Sequence, residues 1–239
     1  MPTARTRRYR RRRPMRRRRT YRRRARNSAT RSSMISAVTR VNKGPLGKMF
    51  KMSLPYVEPQ SVLNPGLGGI PVFHYFSANG LYDPNITGGG HQPLGFDQVM
   101  PMYDHYTVIA SKITVTFFND DATNKQVVGI RLSDQASLPV TADVGNLMEN
   151  GGGKYAWLNT KGNNGDMVTL TLGCSPKKFF TKTLNDDTYK GSVSSNPADQ
   201  VYFQIWTAPL TSVDSGLVYF NVRIDYIALF SEPKLLASS

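Results

Sequence analysis

The stretch Leu217-Val218-Tyr219-Phe220-Asn221-Val222-Arg223-Ile224-Asp225-Tyr226-Ile227-Ala228-Leu229-Phe230 has an apolar residue at every even position from 218 to 230. Asn221, Arg223 and Asp225 lie opposite. Successive side chains of a strand point to opposite faces, so this pattern predicts a strand with one face buried and one in water. The same period recurs upstream. Residues 200–208 set Val201, Phe203 and Ile205 against Tyr202, Gln204 and Trp206, and residues 167–173 set Val168, Leu170 and Leu172 against Thr169 and Thr171. Residues 106–118 place Ile109, Ile113, Val115 and Phe117 on one face and Lys112, Thr114 and Thr116 on the other. Residues 125–133 offer Val128, Ile130 and Leu132 against Arg131, residues 154–159 form a short segment around Trp157, and residues 71–78 are rich in aromatics. At residues 46–55, Leu46, Phe50, Met52 and Leu54 share a face that Lys48 interrupts. Aromatic and β-branched residues in period two support a strand each time.

The result is eight strands and little helix. The one helix expected, Phe96 to His105, is cut to a turn or two by Pro101, which cannot continue the backbone bonding. Connections 134–153, 79–105 and 174–199 are long, whereas 119–124, 160–166 and 209–216 are short, and 56–70 is intermediate and rich in Pro and Gly. Long and short connections alternate. In an eight-stranded jelly roll, alternate connections emerge at opposite ends of two packed sheets. The expected fold is therefore an all-β, eight-stranded jelly roll of two antiparallel sheets, bulky at one end and narrow at the other.

Charge divides the chain. Of its 31 Lys and Arg residues, twenty fall in residues 1–51, which contain no acid. Eleven remain against all sixteen acids, so residues 52–239 carry a net −5. The densest run is Arg5, Arg7, Arg8, Arg10, Arg11, Arg12, Arg13, Arg16, Arg17, Arg18, Arg19, Arg22, Arg23, Arg24 and Arg26. Like charges without apolar residues cannot build a core, so residues 1–45 are expected to be a disordered arm and hinge, and residues 46–239 the folded domain. Such an arm calls for a polyanion. Guanidinium forks match phosphate oxygens two at a time, which points to nucleic acid contact and to nuclear import. Tyr9 and Tyr21 within the run offer rings for stacking on unpaired bases, or serve as spacers. A single cysteine, Cys174, excludes an internal disulfide and fits a reducing compartment. No apolar run approaches the roughly 18 residues of a membrane span, and no apolar signal core follows the first residues, so neither membrane insertion nor secretion is expected. The Asn85-Ile86-Thr87 sequon is accordingly read as a turn.

The segment Gly95-Phe96-Asp97-Gln98-Val99-Met100-Pro101-Met102-Tyr103-Asp104-His105-Tyr106-Thr107-Val108, continued by Ser111-Lys112-Ile113-Thr114-Val115-Thr116-Phe117, resembles the approach to the third strand in capsid proteins of circular, Rep-encoding single-stranded DNA viruses, the circoviruses and cycloviruses. The arginine-rich start with interspersed tyrosines resembles that family too. The resemblance implies a T=1 icosahedral shell of about sixty copies, short loops near the five-fold axes and long loops outside. It also implies an inward arm that binds the viral single-stranded DNA genome and is read by host nuclear import receptors, and an outer surface that attaches to a host cell-surface receptor. The locations implied are virion and host nucleus.

No catalytic constellation is evident. His74, His91 and His105 fit no metal-site spacing, although His105 could bond the adjacent Asp104. Gly88-Gly89-Gly90 and Gly151-Gly152-Gly153-Lys154 lack the P-loop pattern and are read as turns. Asp120-Asp121 and Asp186-Asp187 are read as solvated turns, with cation binding at a subunit contact the competing role. Lys177-Lys178-Phe179-Phe180 could contact bases or pack its rings on the body, and Trp157 and Trp206 are expected in the core or at an interface. The residues and the resemblance together lead us to expect a self-assembling, nucleic-acid-packaging coat protein with neither cofactor nor metal, and not an enzyme. A cellular scaffold with a basic tail, ribosomal or histone-like, would be expected to carry basic residues on its body as well. A jelly-roll enzyme of the cupin type would need clustered histidine and carboxylate ligands.

Overall fold

The computed structural model describes residues 45–65, 69–137, 143–181, 183, 186–210 and 216–235. The arginine run and Tyr9 and Tyr21 lie outside them. Eight strands form: β1 (Met49–Leu63), β2 (Val72–Ser77), β3 (Tyr103–Asn119), β4 (Gln126–Ser133), β5 (Gly153–Leu158), β6 (Met167–Cys174), β7 (Tyr202–Pro209) and β8 (Val218–Pro233). They pair antiparallel in two four-stranded sheets, ordered β1-β8-β3-β6 and β2-β7-β4-β5. Sequence neighbours such as β1 and β2 sit in different sheets, and the fold is the expected jelly roll.

The pattern that opened the sequence holds along β8. Val218, Phe220, Val222, Ile224, Tyr226, Ala228 and Phe230 are all buried between the sheets. They meet Leu54, Tyr56, Ile113, Val115 and Phe117 from the same sheet and Phe76, Val128, Ile130, Phe203 and Ile205 from the other. In β3 the register slips between Val108 and Ala110, so Tyr106 and Val108 face the core before the slip and Ser111 and Ile113 after it. Ile109, expected inward, sits at the slip and is half-buried.

Two boundaries differ from expectation. β1 starts at Met49 and runs on to Leu63, through Pro55 and Pro59. An edge strand tolerates proline because one row of N–H groups has no ladder to serve. A bulge between Glu58 and Ser61 absorbs the second proline: Gln60 takes φ 56 and its N–H donates to Asn221 Oδ1 at 2.8 Å. The first connection is thus residues 64–71, shorter than the expected 56–70. The expected helix Phe96–His105 is only α1 (Phe96–Val99) and a 3-10 turn, Met100–Met102. Pro101 ends it, and Tyr103 and His105 already pair with Pro233 and Ser231 of β8. The long connections also hold α2 (Val144–Glu149) and α3 (Pro176–Phe180), which carry no strong periodic signal. α2 packs Leu147, Val144 and Met148 on the outward face of the second sheet, over Phe73, Val127, Trp206 and Ala208.

Candidate assembly interface

Pairing registers set Leu63, Asn119, Met167 and Val218 at one end of their sheet and Val72, Gln126, Leu158 and Pro209 at one end of theirs. The four short connections join those residues. Those after β3 and β5 are tied to each other: Asn119 Nδ2 donates to Asn124 O and Asn159 O at 2.8 and 2.9 Å, and Lys161 N donates to Asp121 O at 2.7 Å. The Asp121 carboxylate accepts from Thr123 N, Asn124 N, Thr123 Oγ1 and Asn124 Nδ2, chiefly the Thr123 amide, which holds its pKa at about 2. Asp120 pairs with Lys161. Turn chemistry therefore accounts for this carboxylate pair.

The three long connections leave from the other end, where Tyr106 fastens two of them. Its hydroxyl accepts from Leu81 N at 3.0 Å and donates toward Asn196 Oδ1 at 3.2 Å. Its backbone exchanges two bonds with Gly191, each 2.9 Å. A Cβ on Gly191 would lie 2.2 Å from the Tyr106 ring, so only glycine fits. Burial raises the Tyr106 pKa and pushes the Cys174 thiol up to about 12. Cys174 is thus a packing residue and not a nucleophile.

The two sides of the sandwich differ. β1 and β2 are the edge strands on one side, and the β2–β3 connection covers both. Along β2, Tyr75 N donates to Thr87 Oγ1 at 2.7 Å, Ile86 N to Tyr75 O at 3.1 Å, and Ser77 N to Pro84 O at 2.8 Å. Along β1, Leu94 N donates to Pro55 O at 3.0 Å and His91 Nε2 faces Val57 O at 3.0 Å. β5 and β6 are the edges on the other side. Among the described residues, no comparable segment lies along them. Here Tyr155, Trp157 and Met167 are 47, 55 and 56% exposed. Met167 ends an apolar row that crosses the outward face of its sheet, paired in register as Met167–Phe118–Tyr219–Val62. An unpaired strand edge beside exposed aromatics is a surface for another chain.

The structure disperses the sequence candidates. His74 stacks on Phe76 and bonds Asn85 Oδ1 at 2.8 Å, and burial lowers its pKa. His105 bonds Glu232 at 2.9 Å, whereas Asp104 has Lys234 at 3.9 Å, so the adjacent pair His105–Asp104 is not the one that forms. Among the described residues, no group of three or more His, Cys, Asp or Glu side chains is arranged to hold a metal ion. No helix among them is long and apolar enough to cross a membrane. The Asn85-Ile86-Thr87 segment lies along the β2 edge with Asn85 buried and is not a free turn. In α3, Phe180 packs on Tyr189 and Phe179 is 37% exposed. Trp206 is buried across Gly129, whose added Cβ would stand 2.3 Å from the indole. Sequence reasoning missed the open β5–β6 side. The available signal was Trp157 in a strand whose other residues are mostly polar or small.

No protein-family model and no curated protein matches the chain. Among solved structures it is similar to the semi-empty VLP of Macrobrachium rosenbergii nodavirus, at 11% identity over 84% of this chain and 92% of that one, with a TM-score of 0.47. It is similar to the 60-mer BFDV capsid protein at 10% identity over 81% and 100%, with a TM-score of 0.46. It is also similar to Desmodium yellow mottle tymovirus at 15% identity over 83% and 97%, with a TM-score of 0.41. At such scores the likeness decides nothing about function.

Proposed function

We propose that this chain is a viral coat protein that assembles with copies of itself into a small icosahedral shell and packages single-stranded DNA. The observation that carries the reading is the segregation of charge on a jelly-roll chain: twenty cations and no acid in residues 1–51, then a domain of net −5. The arginines from Arg5 to Arg26 would neutralise phosphates without reading sequence, and the same run would serve as the nuclear import signal. Sixty such arms would neutralise on the order of a thousand phosphates, a useful share of a small genome. Fully extended, an arm spanning residues 1–45 reaches roughly 150 Å, enough to cross a shell wall. The DNA genome and the circovirus-like membership rest on the resemblance of residues 95–117. The open β5–β6 side, with Tyr155, Trp157 and Met167, is the proposed contact between copies.

Deleting residues 1–40 tests the division of labour. The truncated protein should fold, yet lose retained nucleic acid, read as the ratio of absorbance at 260 and 280 nm after purification. The full chain should bind nucleic acid with strong salt dependence and sediment as a megadalton particle. Salt-resistant nucleic-acid binding by the truncated protein, or a full chain that stays monomeric at every concentration, would overturn the reading.

A further inference from the structure

A notch opens between the sheets at the long-loop end. Register explains it. β6 stops at Cys174, opposite Ser111, and the β4–β5 ladder stops at Arg131–Gly153. β3 extends further back, to Tyr103, and β4 runs on to Ser133, so both edge strands end before their neighbours do. The space left is about 520 Å³, walled by Ala110 and Ser111 of β3, Leu132 of β4, Cys174 of β6, and Lys178 and Phe179 of α3. Tyr155, Trp157 and Met167 do not line it, and Met167 lies at the opposite end of β6.

Local chemistry sets α3 beside this notch. Pro176 holds Ser175 in extended backbone and opens the helix at its first position, and Thr181 ends it in the left-handed region at φ 58. Phe180 packs on Tyr189 with ring centres 5.6 Å apart, and Phe179 stands edge-on to Phe180 at 5.1 Å. Phe179 is thereby held in the wall with 37% of its surface exposed. Charge here runs against the rest of the domain: residues 167–185 carry three lysines and no acid. Lys177 and Lys178 are exposed and form no ion pair among the described residues. Ser175 makes no side-chain bond to cap the helix. An exposed ring and apolar walls beside an unneutralised cation suit a base, held by its face, and the phosphate attached to it. The chain also enters β1 at Met49, paired with Ser231, so residues 1–48 are attached to the sheet end where the notch lies.

We infer that the notch binds one unpaired nucleotide of single-stranded nucleic acid, with the base against Phe179 and the phosphate on Lys178. At about 520 Å³ the space falls within the roughly 300–1,000 Å³ of small-ligand sites, which admits one nucleotide. The presence of nucleic acid rests on the coat-protein reading, but that reading needs only the arm, and this site is on the folded domain.

The full-length protein is mixed with a single-stranded oligodeoxynucleotide containing 5-iododeoxyuridine, irradiated, digested and mapped by mass spectrometry. An adduct on Phe179 is expected, and retention of the same oligonucleotide on a filter reports binding by the arm. Lys178→Gln should lower the Phe179 adduct about fivefold with retention unchanged, whereas Lys177→Gln, outside the notch wall, should change it less than about twofold. Ala110→Leu, which fills the notch from β3, should lower the adduct about tenfold, because the base can no longer reach the ring. Should that variant not fold, Lys178→Gln, at an exposed side chain, decides. Retention without a Phe179 adduct, equal loss in the two lysine variants, or an adduct unchanged by Lys178→Gln overturns the site and leaves the coat-protein reading standing. Neither retention nor adduct overturns both.

Discussion

The two sides of the sandwich are built from the same element, an edge strand with one row of backbone groups unpaired, and they end differently. On the β1–β2 side the chain spends its own 78–95 connection on the problem: Thr87, Ile86 and Pro84 satisfy β2, and Leu94 and His91 satisfy β1. On the β5–β6 side, Tyr155, Trp157 and Met167 stay exposed. An isolated domain gains from covering both sides, because exposed edges invite association. A protein built to associate covers the side where pairing would be wrong and leaves the other. The difference between the sides is therefore better evidence of a directed contact than either side alone.

The largest expected effect breaks the open side. Trp157→Lys should abolish particle formation in sedimentation while changing monomer stability by about 0.5 kcal/mol or less, since the ring is 55% exposed. Wild-type particle yield from this variant would remove the open side from the assembly contacts. A smaller effect tests the covered side. Thr87→Ala takes the acceptor from Tyr75 N and should cost about 1–2 kcal/mol in urea unfolding, with assembly retained if the protein folds. Loss of assembly at intact stability would mean that the covered side is itself a contact.

The smallest effect concerns the pin over β1. Both ring nitrogens of His91 face carbonyl oxygens, Nδ1 to Gln92 O at 2.7 Å and Nε2 to Val57 O at 3.0 Å. A carbonyl only accepts, so both bonds exist only when the ring carries two protons. The bond to Gln92 O is the main cause of a raised pKa; desolvation opposes it, and the bond to Val57 O and the nearby Glu58 charge add to the rise. A raised folded pKa stabilises fully below the unfolded value of about 6.5 and is lost as pH rises through the folded value. The protection factor of the Leu94 amide, its exchange corrected for the intrinsic base-catalysed rate, should therefore fall modestly above neutrality, and His91→Gln should flatten that dependence. A Leu94 protection factor that is equal at pH 5 and pH 8 in the native protein would dismiss the pin.

Much of this fold was legible from the residues. Where one strand face is wet, as in β8, the alternation of Val218 to Phe230 with Asn221, Arg223 and Asp225 reports burial position by position. The same logic reads less cleanly in β4, where Gln126 to Ile130 are all buried because α2 and its neighbours cover the outward face. The bulge at Pro59-Gln60 and the slip at Ile109 shift parity, and no local pattern announces either. The loops also hide their use: Asn85-Ile86-Thr87 reads as a turn because its partner, β2, is recognised as an edge strand only once the sheet order is known.

Local alternation and the run of like charges settled eight strands, their order of long and short connections, and a cationic segment set apart from an acidic domain. Those features need only neighbours within a few residues, or no neighbours at all. Which edges are sealed, why Gly129 must be small and where Arg131 meets Gln204 depend on side chains far apart in the chain arriving at one place. Pairing register sets those meetings, and a one-residue slip in register sends every side chain to the opposite face.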